Sequence, residues 1–140
     1  MLVKDAVLPQ LANPNPIIRK AAAKAGCLLY VKKNRAMGEQ KISNLVMYEI
    51  LDKFMNVAIA DPDQEIRHTM LSSLNENFDQ YLKAPSNLRK LFLCMNDPVA
   101  QVQEIALTVL CRLSLLNPAE IVPFLKKTLF EYLQTLTYES

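Results

Sequence analysis

Apolar residues recur every three to four positions in stretches that open on an acid or amide followed by proline. After Asn15-Pro16 the stripe is Ile18, Ala21, Ala22, Ala25, Leu28 and Leu29, with Arg19, Lys20 and Lys24 off it. That spacing turns one face of an α-helix toward a core and leaves the basic residues to water. After Asp61-Pro62 come Ile66, Met70, Leu71, Leu74, Phe78, Tyr81 and Leu82; after Asp97-Pro98 come Val102, Ile105, Ala106, Val109, Leu110, Leu113 and Leu116. Each set predicts one long helix with a single buried face. Asn117-Pro118 opens a last helix. An acid or amide can satisfy free N–H groups of a first turn and a proline presets its φ, so all four pairs read as helix starts.

Further helical segments are expected at 2–12, at about 43–60 (Ile42, Leu45, Val46, Ile50, Phe54 and Val57) and in a shorter stretch opened by Pro85. The helices then alternate as pairs. Pro123 lacks a backbone donor inside the last of them, which predicts a kink or an early break. One loop of length is expected, from about Asn34 to Lys41 around Gly38.

A motif repeats along this frame. An Asp or Asn is followed five residues later by a β-branched residue and then a polar one: Asn13 with Ile18-Arg19, Asp61 with Ile66-Arg67, and Asp97 with Val102-Gln103. The leading residues bracket the ~40 to 47 residue period of HEAT and armadillo units. In such a unit the apolar residue faces the core, the acid or amide ends the turn between two helices, and the basic residue can reach the acid of a neighbouring unit. The expected fold is therefore all-α, an α-solenoid of antiparallel HEAT-type helix pairs, about three and a half of them. The 140 residues form one segment with approximate units 2–33, 42–83, 85–116 and an incomplete 118–140. Because Asn13 and Gln103 depart from the motif, an Asp-Arg ladder is expected at most around Asp61, Arg67 and Asp97.

Composition agrees with this reading. Only two glycines leave little material for hairpin turns, and 51% hydrophobic residues suffice for a continuous core. Net charge is +2, but residues 1–60 carry nine Lys or Arg against four acids, a local +5. Lys32, Lys33 and Arg35 are the candidate basic docking patch, although basic residues also favour the C-terminal turn of any helix. Cys27, Cys94 and Cys111 lack CxxC spacing and sit in apolar runs, as reduced core thiols of a cytoplasmic protein would. No signal peptide and no membrane insertion are expected.

Catalytic chemistry finds no foothold. His68, the single histidine, has no Cys or carboxylate cluster built around it in the sequence. Asp61, Asp63 and Glu65 imitate a calcium loop, yet Pro62 follows the first acid and the required glycine and glutamate are missing. There is no Gly-rich phosphate loop and no kinase catalytic loop. No aromatic interleaves the basic residues near Lys32 to stack bases, which argues against nucleic acid. No catalytic residue, cofactor, metal or small-molecule substrate is expected.

Residues 61–136 carry a more specific likeness. Met95-Asn96-Asp97-Pro98-Val99, then Val102, Glu104 and Ala106, Arg112-Leu113-Ser114, Asn117-Pro118-Ala119 and Pro123-Phe124-Leu125-Lys126-Lys127 stand in order, preceded by Asp61-Pro62-Asp63, Ile66-Arg67, Leu71, Ser73-Leu74, Phe78-Asp79 and Leu82. This resembles the HEAT region of the target-of-rapamycin (TOR) serine/threonine kinases, with Ala100 and Cys111 departing from the pattern. The resemblance implies a non-catalytic scaffold that supports complex assembly and docks regulatory subunits of the Raptor type in nutrient and growth signalling. The parent complex would be cytoplasmic, with recruitment to a lysosomal or vacuolar surface. The rival readings are a free-standing HEAT adaptor, of the phosphatase-scaffold or transport-receptor type, and a nucleic-acid-binding solenoid using Lys32, Lys33 and Arg35.

Overall fold

A computed structural model describes residues 3–36 and 44–139, with side chains described over 5–30 and 45–136. Among the described residues seven α-helices follow a short N-terminal helical coil: α1 (Pro16–Ala36), α2 (Asn44–Ala60), α3 (Gln64–Ser73), α4 (Asp79–Leu82), α5 (Pro85–Cys94), α6 (Ala100–Leu113) and α7 (Pro118–Glu139). Among the described residues there is no strand. The expected loop around Gly38 lies mostly outside the described residues.

The helices stack in two layers. In one, α1, α3 and α6 pack successively against each other; in the other, α2 packs on α5 and α5 on α7. In the second layer α2 and α5 also pack on the helices that follow them in the first, α2 on α3 and α5 on α6. Layers built from consecutive pairs, each touching only its neighbours, make an all-α solenoid. One core runs through it, from Ala23 and Tyr30 through Ile50, Phe54, Met70 and Leu74 to Val109 and Ile121.

Local structure departs from the sequence expectations at four places. Where a helix is expected over 2–12, the described residues 3–12 are not α-helical: Val3–Val7 is a π-helical turn and Leu8–Ala12 a 3-10 helix. Pro9 at the start of the latter cannot donate a backbone bond. Second, Asp61-Pro62 and Asp97-Pro98 precede helix starts without capping them. The helices begin at Gln64, capped by the Asp63 carboxylate, and at Ala100. Third, the stretch after Asp61 is not one helix. It ends at Ser73, resumes as a 3-10 turn capped by Asn75, whose side chain accepts from the Asn77 N–H, and closes with α4. Fourth, α7 does not break at Pro123, which sits exposed near its start. There a missing donor leaves about one helical bond unmade.

An aromatic cluster closes the corner between α1, α2 and α4. The Tyr30 and Phe78 rings stack at 4.5 Å, and Tyr81 meets Tyr30 edge-on at 6.3 Å. The buried Tyr30 hydroxyl has no hydrogen-bond partner among the described residues, and burial, then the neighbouring Tyr81, Tyr48 and Cys27, push its pKa up. Removing an unpaired buried hydroxyl relieves a desolvation cost, so Tyr30→Phe is expected to raise stability by up to about 1 kcal/mol in urea melts. Gly26 of α1 faces Val7 of the N-terminal coil and Phe54 of α2. A Cβ there would lie 3.1 Å from Val7 Cγ1 and 3.2 Å from the Phe54 ring. Gly26→Leu would overfill this seam and is expected to lower the urea midpoint by the equivalent of about 1 to 3 kcal/mol.

Candidate functional site

The repeated motif assembles one ladder along the turns between paired helices. In each turn the leading side chain accepts from the backbone two residues on: Asn13 Oδ1 from the Asn15 N–H (2.8 Å), Asp61 Oδ1 from Asp63 (2.9 Å) and Asp97 Oδ1 from Val99 (2.9 Å). The motif acid thus shapes the turn, and a different residue, Asn15 or Asp63, caps the helix behind it. Ile66 and Val102 are buried at the start of their helices, whereas Ile18 is exposed.

The arginines join one turn to the next. Arg19 donates to both Asp61 carboxylate oxygens (3.0 and 3.3 Å) and to the carbonyl of Asn13 in its own turn. Arg67 repeats the arrangement, with bonds of 2.8 and 3.2 Å to Asp97 and 2.8 Å to the Asp61 carbonyl. Gln103 keeps only the inward half, donating to the Asp97 carbonyl. The rung at Arg19 goes beyond the expected extent of the ladder. Asn13 takes part through its backbone carbonyl, which any residue can offer, so its lack of charge does not matter.

Burial makes these rungs structural. Arg67 and Asp97 are both nearly buried, and their pairing leaves no charge facing apolar core alone. Burial would raise the Asp97 pKa, but the Arg67 hydrogen bonds and charge together with the Val99 N–H hold the carboxyl below its usual range. Burial pushes Cys27 to about 12; it also pushes Cys94 to about 12, with Asp97 adding and Arg67 opposing. Cys27 Sγ lies 3.9 Å from Met70 Sδ across the α1/α3 seam. Both thiols are packing groups.

A second set of ties was not foreseen from sequence. Arg112, in the last turn of α6, grips both Asp79 oxygens at 2.8 to 3.1 Å and the Leu74 carbonyl at 3.1 Å. It thereby holds the break between α3 and α4. The usable signal is an arginine in a last helical turn opposite an acid just after an Asn cap. Because Arg112 is partly solvated, Arg112→Ala is expected to cost about 1 kcal/mol, with faster amide exchange over 75–83.

Other candidates resolve without chemistry. His68 is half-exposed on α3 with Ser72 Oγ 3.4 Å from Nδ1. Glu65 pairs with Lys20, and Asp61 and Asp63 are engaged as above, so the apparent calcium loop is spent on the turn. Among the described residues no group of three or more His, Cys, Asp or Glu could hold a metal ion, and no helix is long and apolar enough to cross a membrane. An open cleft of about 350 Å³ lies over the first rung, between Leu11, Pro14, Arg19, Asn56 and Pro62. Lys32, Lys33 and Arg35 lie on the final turns of α1, with side chains outside the described residues.

No protein-family model matches the chain. It is 38% identical over 136 residues to the serine/threonine-protein kinase tor1 of Schizosaccharomyces pombe, an alignment covering 97% of this chain. The corresponding figure for TOR2 of Saccharomyces cerevisiae is 39% over 138 residues, 99% of this chain. The chain belongs to the target-of-rapamycin kinase family. It spans about 6% of the length of these two relatives, so it corresponds to one stretch of a TOR kinase. The mTor kinase of Drosophila melanogaster is 33% identical over 79% of this chain. In this TOR-family segment the ladder residues Asp61, Arg67 and Asp97 fall within the stretch that carried the sequence resemblance.

Proposed function

We propose that this TOR-family segment is a non-catalytic, HEAT-type scaffold that supports assembly of a kinase complex and docks a regulatory subunit of the Raptor type. The units are those at 2–33, 42–83, 85–116 and 118–140. The observation that carries the reading is the ladder. Its charged side chains are consumed in joining one turn to the next, so the most polar buried groups serve rigidity. A stack held this way presents fixed surfaces, which suits binding. Lys32, Lys33 and Arg35 are the proposed basic docking patch, and the complex acts in the cytoplasm.

The test is recovery of complex subunits from cell extract by the 140-residue chain, beside a variant with Lys32→Glu, Lys33→Glu and Arg35→Glu. Kinase-complex subunits on the parent chain and their loss on the variant support both the scaffold and the patch. Equal recovery removes the patch. Recovery of salt-sensitive nucleic acid instead would overturn the scaffold reading.

A further inference from the structure

The open cleft over the first rung is lined by Leu11, Pro14, Val57 and Pro62 together with Arg19 and Asn56. Arg19 has five N–H donors and spends four of them, two on Asp61 and one each on the carbonyls of Asn13 and Pro14. One Nη2 N–H is left without a partner among the described residues. The Asn56 amide is exposed near the end of α2, with two donors and an acceptor and no partner among the described residues. The register of the ladder puts Phe92 of α5 where α2 has Asn56, each five residues before a motif acid. Phe92 is half-buried and stacks on Phe124 of α7 at 3.9 Å. A position that serves helix packing in one unit is an uncommitted amide beside a cleft in the other.

Charge is uneven around this cleft. Lys53 lies one turn before Val57 on the same side of α2, exposed and unpaired among the described residues. The acids within reach are spent: Glu49 is already engaged, Asp52 pairs with Lys90, and Asp61 holds Arg19. The cleft therefore has a cation at one end with no counter-charge of its own.

We propose that the cleft binds an extended, acidic peptide segment of a partner protein, with one of its peptide units on the Asn56 amide and an Asp or Glu side chain toward Lys53. Small apolar side chains of the segment then lie against Pro14, Val57 and Pro62. Complementarity argues for this occupant. A side-chain amide matches a peptide unit donor for acceptor, and an acid supplies the charge that Lys53 lacks. A basic segment would meet Lys53 and the spare Arg19 N–H with nothing to accept from either. Nucleic acid carries the right charge, but no residue lining the cleft is aromatic, so bases have nothing to stack on. The volume of about 350 Å³ suits a few residues of extended chain better than a helix about 10 Å across. The proposal rests on the TOR-scaffold reading and deepens it, naming a partner chemistry and a site apart from Lys32, Lys33 and Arg35.

The experiment pans a phage library of random short peptides on an immobilised full-length TOR-family kinase carrying this segment, with the Asn56→Phe kinase as counter-selection. The selected peptides are expected to share an Asp or Glu flanked by small residues. Their fluorescein-labelled forms are then titrated with the kinase and read by fluorescence anisotropy. Asn56→Ala should weaken binding about tenfold, the loss of two main-chain hydrogen bonds, and N-methylation at one internal amide of the peptide should do the same. Lys53→Glu should weaken the acidic peptide and strengthen the same peptide with Lys in place of its acid. Both positions are exposed, so the urea midpoint of the 140-residue chain should not move with either variant. If it did, the N-methyl scan on the parent kinase would decide alone. No enrichment over the counter-selection overturns the proposal, as do selected peptides without an acid or binding indifferent to Asn56→Ala and to N-methylation. Tighter binding of a single-stranded oligonucleotide, lost with Lys53→Glu, overturns it in favour of nucleic acid. Should the selection fail while the kinase still recovers its complex subunits, this site falls and the scaffold reading stands.

Discussion

Replacing Arg67 with alanine is expected to cost about 3 to 5 kcal/mol, the range for removing one partner of a buried ion pair. The loss exceeds a surface pair's because the Asp97 carboxylate stays in place, nearly buried, with the Val99 N–H as its remaining partner among those described. The Asp61 carbonyl loses its donor in the same step. A urea melt reads the size, and a cycle with Asp97→Ala should show strong coupling, the double variant costing clearly less than the two singles combined. The sign of the pH effect follows from the depressed Asp97 pKa. A carboxyl held lower in the folded than in the unfolded state contributes stability that is complete above about pH 5 and is lost as pH falls through the folded value. The parent chain should therefore weaken from pH 5 toward pH 3, and Arg67→Ala should weaken less over that interval. An unchanged acid profile in the variant would mean that this rung is not what couples stability to pH.

Phe78→Ala should have an effect of similar size by a different route. Phe78 is fully buried, stacks on Tyr30 and meets Phe54 edge-on with centroids 6.4 Å apart. Truncation leaves a cavity walled by rings that cannot collapse into it without moving helices, at about 3 to 5 kcal/mol. Against a total of about 5 to 15 kcal/mol for an ordinary domain, that is a large share. Phe78→Leu should recover most of it, since a leucine refills the volume. If Phe78→Ala melted within about 1 kcal/mol of the parent, the corner at α4 would not be part of the cooperative core.

The same residue explains why one part of the fold was hard to read. Leu74, Phe78 and Leu82 are four apart, the spacing of a continuous helix, and all three are buried although a 3-10 turn lies between α3 and α4. Periodicity could not see the break; the Asn75 and Asn77 pair could have shown it. The helix pairs themselves were legible, since stripes after Asn15-Pro16 and Asp97-Pro98 are long and their turns are punctuated by proline. The role of the acids was legible only in outline. Asp61 and Asp97 look like caps, and telling a cap from a turn-former requires knowing where the chain bends after them. Arg112 escaped because its partner, Asp79, acts from the far side of that unseen break.

The ladder also has a direction in time. Arg19 must wait for Asp61, 42 residues on, and Arg67 for Asp97, 30 residues on, each reaching forward along the chain. As the chain leaves the ribosome, the Arg19 guanidinium stays open until Asp61 emerges and the Arg67 guanidinium until Asp97 does, so each latches only when a few tens more residues are out, whereas Gln103 leaves no such charge waiting.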